Sequence, residues 1–171
     1  MAGIGFLLNG KSVTSMARPT TRVSDVLRGD FGLTGTKVGC NAGDCGSCTI
    51  LLDDEPVCSC LVALGQIEGQ SVTSVEGLHG SDAIATLQQS FLAHGAAQCG
   101  ICTPGMLVSA AHLLATNPQP NRAEIEDALG GVLCRCTGYS KIIDAVMQAH
   151  TRLPIPMKPD AGNNVGSSIQ H

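Results

Sequence analysis

Along the first half of the chain, apolar residues come in short runs separated by turn-forming dipeptides. Residues 4–8 are apolar and end at Asn9-Gly10, a pair that readily adopts the left-handed backbone of a tight hairpin. Residues 11–16 are therefore expected as the returning strand. Residues 21–28 place Val23, Val26 and Leu27 on one helical face. Residues 48–52 and 56–61 read as two strands joined at Asp53-Asp54-Glu55, and residues 71–75 as one more. Short strands with a single helix imply a small α+β sheet covered on one face.

The period changes after residues 76–81, which hold two glycines and no periodic pattern. Residues 82–94 carry apolar side chains at 84, 87, 91 and 92, and Gly95 stops the pattern. Residues 104–116 begin with proline at a first helical position and present Leu107, Ala110, Ala111 and Leu114 as a stripe. Asn121 followed by Glu124 is a capping box for a helix that ends at Gly130-Gly131. Residues 139–150 turn Ile142, Ile143, Val146 and Met147 inward. Four short helices with short connections imply a bundle. The expected division is 1–77, 78–153 and an irregular tail, 154–171.

Composition narrows the function. Only 14% of the 171 residues are charged, against roughly 25% in an average protein, so partner subunits are expected to cover part of the surface. The net charge is −4, no Lys/Arg cluster occurs, and Trp is absent. Neither the electrostatic footprint nor the stacking platforms of a nucleic-acid binder are present. No apolar run reaches the roughly 18 residues of a membrane helix, and residues 1–10 do not read as a secretory signal.

The nine cysteines then decide the chemistry. An odd count in tight local groups is not the pattern of a stapled secreted domain. Cys40, Cys45, Cys48 and Cys60 follow C-x4-C-x2-C…C, the plant-type ferredoxin spacing for a [2Fe–2S] cluster. Gly39, Gly43 and Gly46 allow the backbone to curl so that N–H groups face an anionic core. Cys58 lies two residues before Cys60 and would share its side of a strand. It is either the fourth ligand or a reserve, or else a small buried apolar residue.

The second group is Cys99 and Cys102, then Cys134 and Cys136. Each pair precedes an expected helix start, where unpaired N–H groups and the positive dipole end favour an anion. Arg135 adds a positive charge. Zinc is the alternative occupant of either group, although C-x-C is unusual for zinc and the first loop is asymmetric. None of the five histidines forms a plausible nucleophile–base constellation.

Cys40-x4-Cys45-Gly-Ser-Cys48 with Ser59-Cys60-Leu61, then Gln98-Cys99-Gly-Ile-Cys102-Thr-Pro-Gly, then Leu133-Cys134-Arg-Cys136-Thr-Gly-Tyr139 resembles the iron–sulfur subunit of the molybdenum hydroxylases, the relatives of xanthine dehydrogenase and aldehyde oxidoreductase. The resemblance runs from about residue 4 to about residue 150. It implies an α+β chain with an N-terminal plant-ferredoxin-like β-grasp domain followed by an all-α four-helix domain. It implies two [2Fe–2S] clusters, one on Cys40, Cys45, Cys48 and Cys60, the other on Cys99, Cys102, Cys134 and Cys136, with Cys58 at a non-ligand position. Gln98 and Cys136 match the residues that approach the molybdopterin of the large subunit.

The function so implied is electron transfer from molybdopterin to FAD or another acceptor within a multi-subunit oxidoreductase. The substrate site is expected on another chain. Partners are then a large molybdopterin-binding subunit and a medium FAD-binding subunit, and the absence of a Gly-rich dinucleotide loop fits that division. A free-standing two-cluster ferredoxin is the second reading, less consistent with the low charge fraction. A structural zinc module is the third. Reduced thiolates point to a cytoplasmic location, with periplasmic export on a partner's signal as the other route.

Overall fold

The computed structural model describes residues 3–78 and 82–152. The expected tail, 154–171, and part of the expected boundary, 79–81, lie outside the described residues. Five strands, β1 (Ile4–Leu8), β2 (Lys11–Ser15), β3 (Thr49–Leu52), β4 (Glu55–Cys58) and β5 (Ser71–Thr73), form one sheet in the order β2-β1-β5-β3-β4. The central β1 and β5 run parallel and the other neighbours antiparallel. Asn9-Gly10 turns the first hairpin with φ of 51° and 77°, and Asp53-Asp54 turns the second with φ of 47° and 69°. Both φ values are positive in each turn, the conformation that matches the twist of paired strands.

β1 alternates: Ile4, Phe6 and Leu8 are buried while Leu7 is exposed. Helix α1 (Val23–Gly29) crosses the inner face with Val23, Val26 and Leu27 buried. Each such side chain contributes on the order of 1.5–3 kcal/mol by leaving water. The first N–H groups of α1 lack a side-chain cap. Val23 N–H donates to Val62 O and Ser24 N–H to Ser59 O. The turn carrying Cys60 is thereby pinned to the helix start.

Three strand ends differ from the sequence expectation. The strand expected over 11–16 stops at Ser15, whose hydroxyl donates to Asp30 and accepts from Ala17 N–H. The strand expected over 56–61 stops at Cys58, because Leu61 N–H turns back to Cys58 O. Cys60 is thus in a turn, and Cys58 and Cys60 do not share a strand face. The strand expected over 71–75 stops at Thr73, because Asn9 captures Ser74 through both its N–H and its hydroxyl.

Four helices follow: α2 (Asp82–Ala93), α3 (Thr103–Thr116), α4 (Arg122–Leu129) and α5 (Ser140–Arg152). Gly95, with φ of 59°, ends α2 and lets Ala96 N–H reach back to Phe91 O. The capping box of α4 is present: Glu124 N–H donates to Asn121 and Asn121 N–H to the Glu124 carboxylate. Leu87 and Phe91 of α2 share a core with Ile142 and Val146 of α5 and with Met106 of α3. Helix α3 lies against β3 and β4, and the His112 ring hydrogen-bonds Asp54 O at 3.0 Å. No helix among the described residues is long and apolar enough to cross a membrane.

Candidate metal centres

The first group is built on the loop between α1 and β3 and on the turn after β4. Asn41, Gly43 and Gly46 all have left-handed φ, from 57° to 81°. That alternation directs N–H groups to one side of the loop, and Ala42 N–H donates to Cys40 Sγ at 3.3 Å. Gly39 leaves room for a sulfur, since a Cβ there would stand 2.9 Å from Cys45 Sγ. Cys48 and Cys60 are buried and Cys40 is exposed. The Ser59 hydroxyl fixes the closing turn by donating to Cys48 O at 2.7 Å.

Within each group the sulfurs bond one another. The thiol of Cys40 bonds that of Cys45, and Cys60 bonds Cys48. In the second group Cys99 pairs with Cys136, and Cys102 with Cys134. All nine cysteines are free thiols. Among the described residues, no three metal-ligating side chains converge tightly enough for a single ion. A tetrahedral zinc needs four such donors at one point, whereas a [2Fe–2S] core takes two thiolates on each iron. Thiols gathered in two groups fit the donor set that [2Fe–2S] cores take. A buried hydroxyl of Thr103, next to Cys102, has no protein partner, as expected beside an acceptor that the protein does not supply.

Electrostatics divide each group. Hydrogen bonding from Ala42 N–H, and from Cys45, brings the Cys40 thiol down to about 7. Burial, reinforced by the Cys48 thiol, pushes Cys60 up to about 11. Burial together with the Cys134 thiol pushes Cys102 up to about 12. Burial would also raise Cys134, but the hydroxyl and N–H of Thr137 outweigh it and the net shift is downward. The Ile101 N–H lowers Cys99, while its partner Cys136 is raised by that same thiol pair. A metal bound there would have to displace protons from the raised sulfurs.

Cys58 lies beside the first group. Its Sγ is 3.6 Å from Gly43 O, and it also bonds the Cys48 thiol. Gln98 is exposed in the loop before Cys99 and caps no helix, since α3 begins at Cys102–Thr103. Arg135 is exposed. Of the two helix starts expected behind the second group, only α3 begins directly at a cysteine, while α5 starts four residues after Cys136.

The two groups meet at a backbone junction that sequence reasoning did not anticipate. Leu133 N–H donates to Cys45 O at 2.9 Å. Gly46 sits against Gly131 and Val132 so closely that a Cβ would collide with the Gly131 carbonyl. Gly105, in the first turn of α3, allows the same approach, because a Cβ there would lie 2.6 Å from Gly46 O. The signal available in the sequence was the set of glycines beside the cysteines.

Comparison with known proteins identifies the family. Residues 6–77 match the family described as a 2Fe-2S iron-sulfur cluster binding domain, and residues 74–147 the [2Fe-2S] binding domain. The chain is 45% identical to the nicotinate dehydrogenase small FeS subunit of Eubacterium barkeri, covering 87% of this chain and 95% of that one. It superimposes on a chain of quinoline 2-oxidoreductase from Pseudomonas putida with TM-score 0.81 and 47% identity, covering 88% and 96%. The aldehyde oxidoreductase of Desulfovibrio desulfuricans gives TM-score 0.83 and 39% identity, but the match covers only 17% of that longer chain. The chain belongs to the iron–sulfur subunits of the molybdenum hydroxylase family. Its role is electron transfer in a multi-subunit oxidoreductase, through two [2Fe–2S]-binding domains.

Proposed function

We propose that the chain relays electrons from a molybdopterin-binding large subunit to an FAD-binding medium subunit or another acceptor. Cys40, Cys45, Cys48 and Cys60 would hold one [2Fe–2S] cluster, and Cys99, Cys102, Cys134 and Cys136 the other. Bound there, the clusters supply one-electron redox chemistry. The observation that carries this reading is the bond from Leu133 N–H to Cys45 O. It links a ligand of one group to the neighbour of a ligand of the other with no intervening side chain. The glycine contacts at 46, 105 and 131 hold that junction closed.

We further propose that the face carrying Gln98 and Cys136 meets the molybdopterin side. Gln98, Cys99, Ile101, Leu133 and Cys136 are exposed together along the two loops of the second group. Exposed Ile and Leu beside exposed sulfurs are better suited to a lasting partner than to a free carrier. Relatives of nearly equal length are named small subunits, which supports placing the other cofactors on other chains. The units are taken as 1–77 and 78–153, and ligand thiolates that must stay reduced during cluster assembly support a cytoplasmic location.

The test is low-temperature EPR of the anaerobic, dithionite-reduced protein. Two distinguishable S = 1/2 signals, integrating to about two spins per chain, are expected. Cys45→Ser should perturb one signal and Cys134→Ser mainly the other. A silent, colourless protein holding about two zinc per chain would overturn the reading.

A further inference from the structure

We propose that Thr137 is a positioning residue that raises the reduction potential of the second cluster by donating its hydroxyl to the Cys134 sulfur. This rests on the reading of Cys134 as an iron ligand. Thr137 Oγ1 lies 3.1 Å from Cys134 Sγ, and Thr137 N–H points to the same sulfur at 3.5 Å. Tyr139 N–H donates to Thr137 Oγ1 at 3.2 Å. Cys134 N–H donates to the Tyr139 phenol oxygen at 2.9 Å. The three residues close a ring of hydrogen bonds around one sulfur.

The direction of each bond follows from chemistry. A thiolate on iron carries no proton, so its sulfur can only accept. The hydroxyl must therefore be the donor. The N–H of Tyr139 occupies a lone pair on that hydroxyl oxygen, which leaves the hydroxyl proton for the sulfur. Tyr139 holds φ at 68°, a left-handed conformation that costs a bulky residue energy. Its ring packs on the helical core while its N–H and phenol face the loop. That cost is met where the ring of bonds requires the reversal. Among the described residues, no hydroxyl bonds a sulfur of the first group, where Cys40 accepts from a backbone N–H instead.

Reduction adds one negative charge to a core already anionic, and that charge spreads over the sulfurs. A donor on a sulfur therefore stabilises the reduced form more than the oxidised form. Removing it should disfavour reduction of the second cluster and leave the first alone. The expected loss is roughly threefold to tenfold in the equilibrium constant for reduction, the net worth of one ordinary hydrogen bond, because the oxidised cluster accepts the same bond more weakly. Tenfold corresponds to about 59 mV for one electron.

The experiment is an EPR-monitored redox titration of the assembled holoenzyme. Thr137→Val keeps the shape and the N–H but deletes the hydroxyl. The midpoint of the second signal should fall, that of the first should stay, and Thr137→Ser should restore the wild-type value. If the valine variant does not load its cluster, Thr137→Ala reads the same quantity. Two fully developed signals with unmoved midpoints in the hydroxyl-free variant would overturn the proposal, as would equal shifts in both. A wild-type enzyme without a second signal would instead overturn the underlying assignment of Cys134.

Discussion

At Gly46 one methyl group decides whether the two halves of the molecule can touch. A side chain there must enter the Gly131 carbonyl and also adopt a φ of 65°. Gly46→Ala is expected to cost about 3 kcal/mol in denaturant unfolding. It should also weaken the magnetic coupling between the two reduced clusters, measured by EPR.

Glu76 acts at a different residue-scale point. Its carboxylate accepts from Gly35 N–H at 2.7 Å and from the Ser74 hydroxyl at 2.6 Å, tying the loop before the first cysteines to the end of the sheet. Burial would raise its pKa, but those bonds, its own N–H and the Lys37 charge together hold it below the ordinary carboxylate value. A depressed carboxylate stabilises the fold above its unfolded pKa, and that stability is lost as pH falls through the folded value. Glu76→Gln should lower the Tm at pH 7. The gap between variant and wild type should narrow as pH falls below the unfolded carboxylate value, about 4.3. A gap that stays constant down to acid unfolding would contradict the assignment.

Cys58 is near the first group, yet it is Cys60 whose turn the Ser59 hydroxyl fastens to Cys48 O. Cys58→Ser should therefore retain about four irons per chain and both EPR signals, two irons belonging to each [2Fe–2S] core.

At the scale of elements, sequence pattern was informative where the element carries its own signal. Helices α2 to α5 follow from a 3.6-residue period with a stop at Gly95 and a capping box at Asn121 and Glu124. Asn121→Ala should cost about 1 kcal/mol in thermal or denaturant unfolding. Helix α4 carries no cysteine, so the cluster signals should not change. Strand ends were less legible, because distant partners set them. Ser15 stops β2 by bonding Asp30, and Ser74 leaves β5 because Asn9 holds it from 65 residues away. The short 3₁₀ turns at Leu64–Ile67 and Val75–Leu78 likewise have no periodic signature of their own. Local spacing brought the cysteines into two groups. The junction of Leu133 with Cys45 was marked only by the glycines that allow it, since a backbone-to-backbone bond between distant loops does not itself name its partners. The Thr137–Tyr139 ring was hidden for a related reason: both residues sit in the quoted motif, but their roles depend on a reversed backbone at Tyr139.

At the scale of the whole molecule, each half has its own core, one beneath the sheet and one among the helices. The halves join where α3 meets β3 and β4 and where the cysteine loops abut. The arrangement assigns different surroundings to sulfurs of the same kind. Cys48, Cys60, Cys102 and Cys134 are buried, while Cys40, Cys99 and Cys136 reach the surface. A redox centre exposed on one side is not selective about what it meets there. Any small oxidant that diffuses to those sulfurs, dioxygen included, competes with the intended acceptor. On the proposed reading, subunits covering these loops would act as insulation as well as source and sink. A chain stripped of them would lose its electrons to the solution sooner than deliver them.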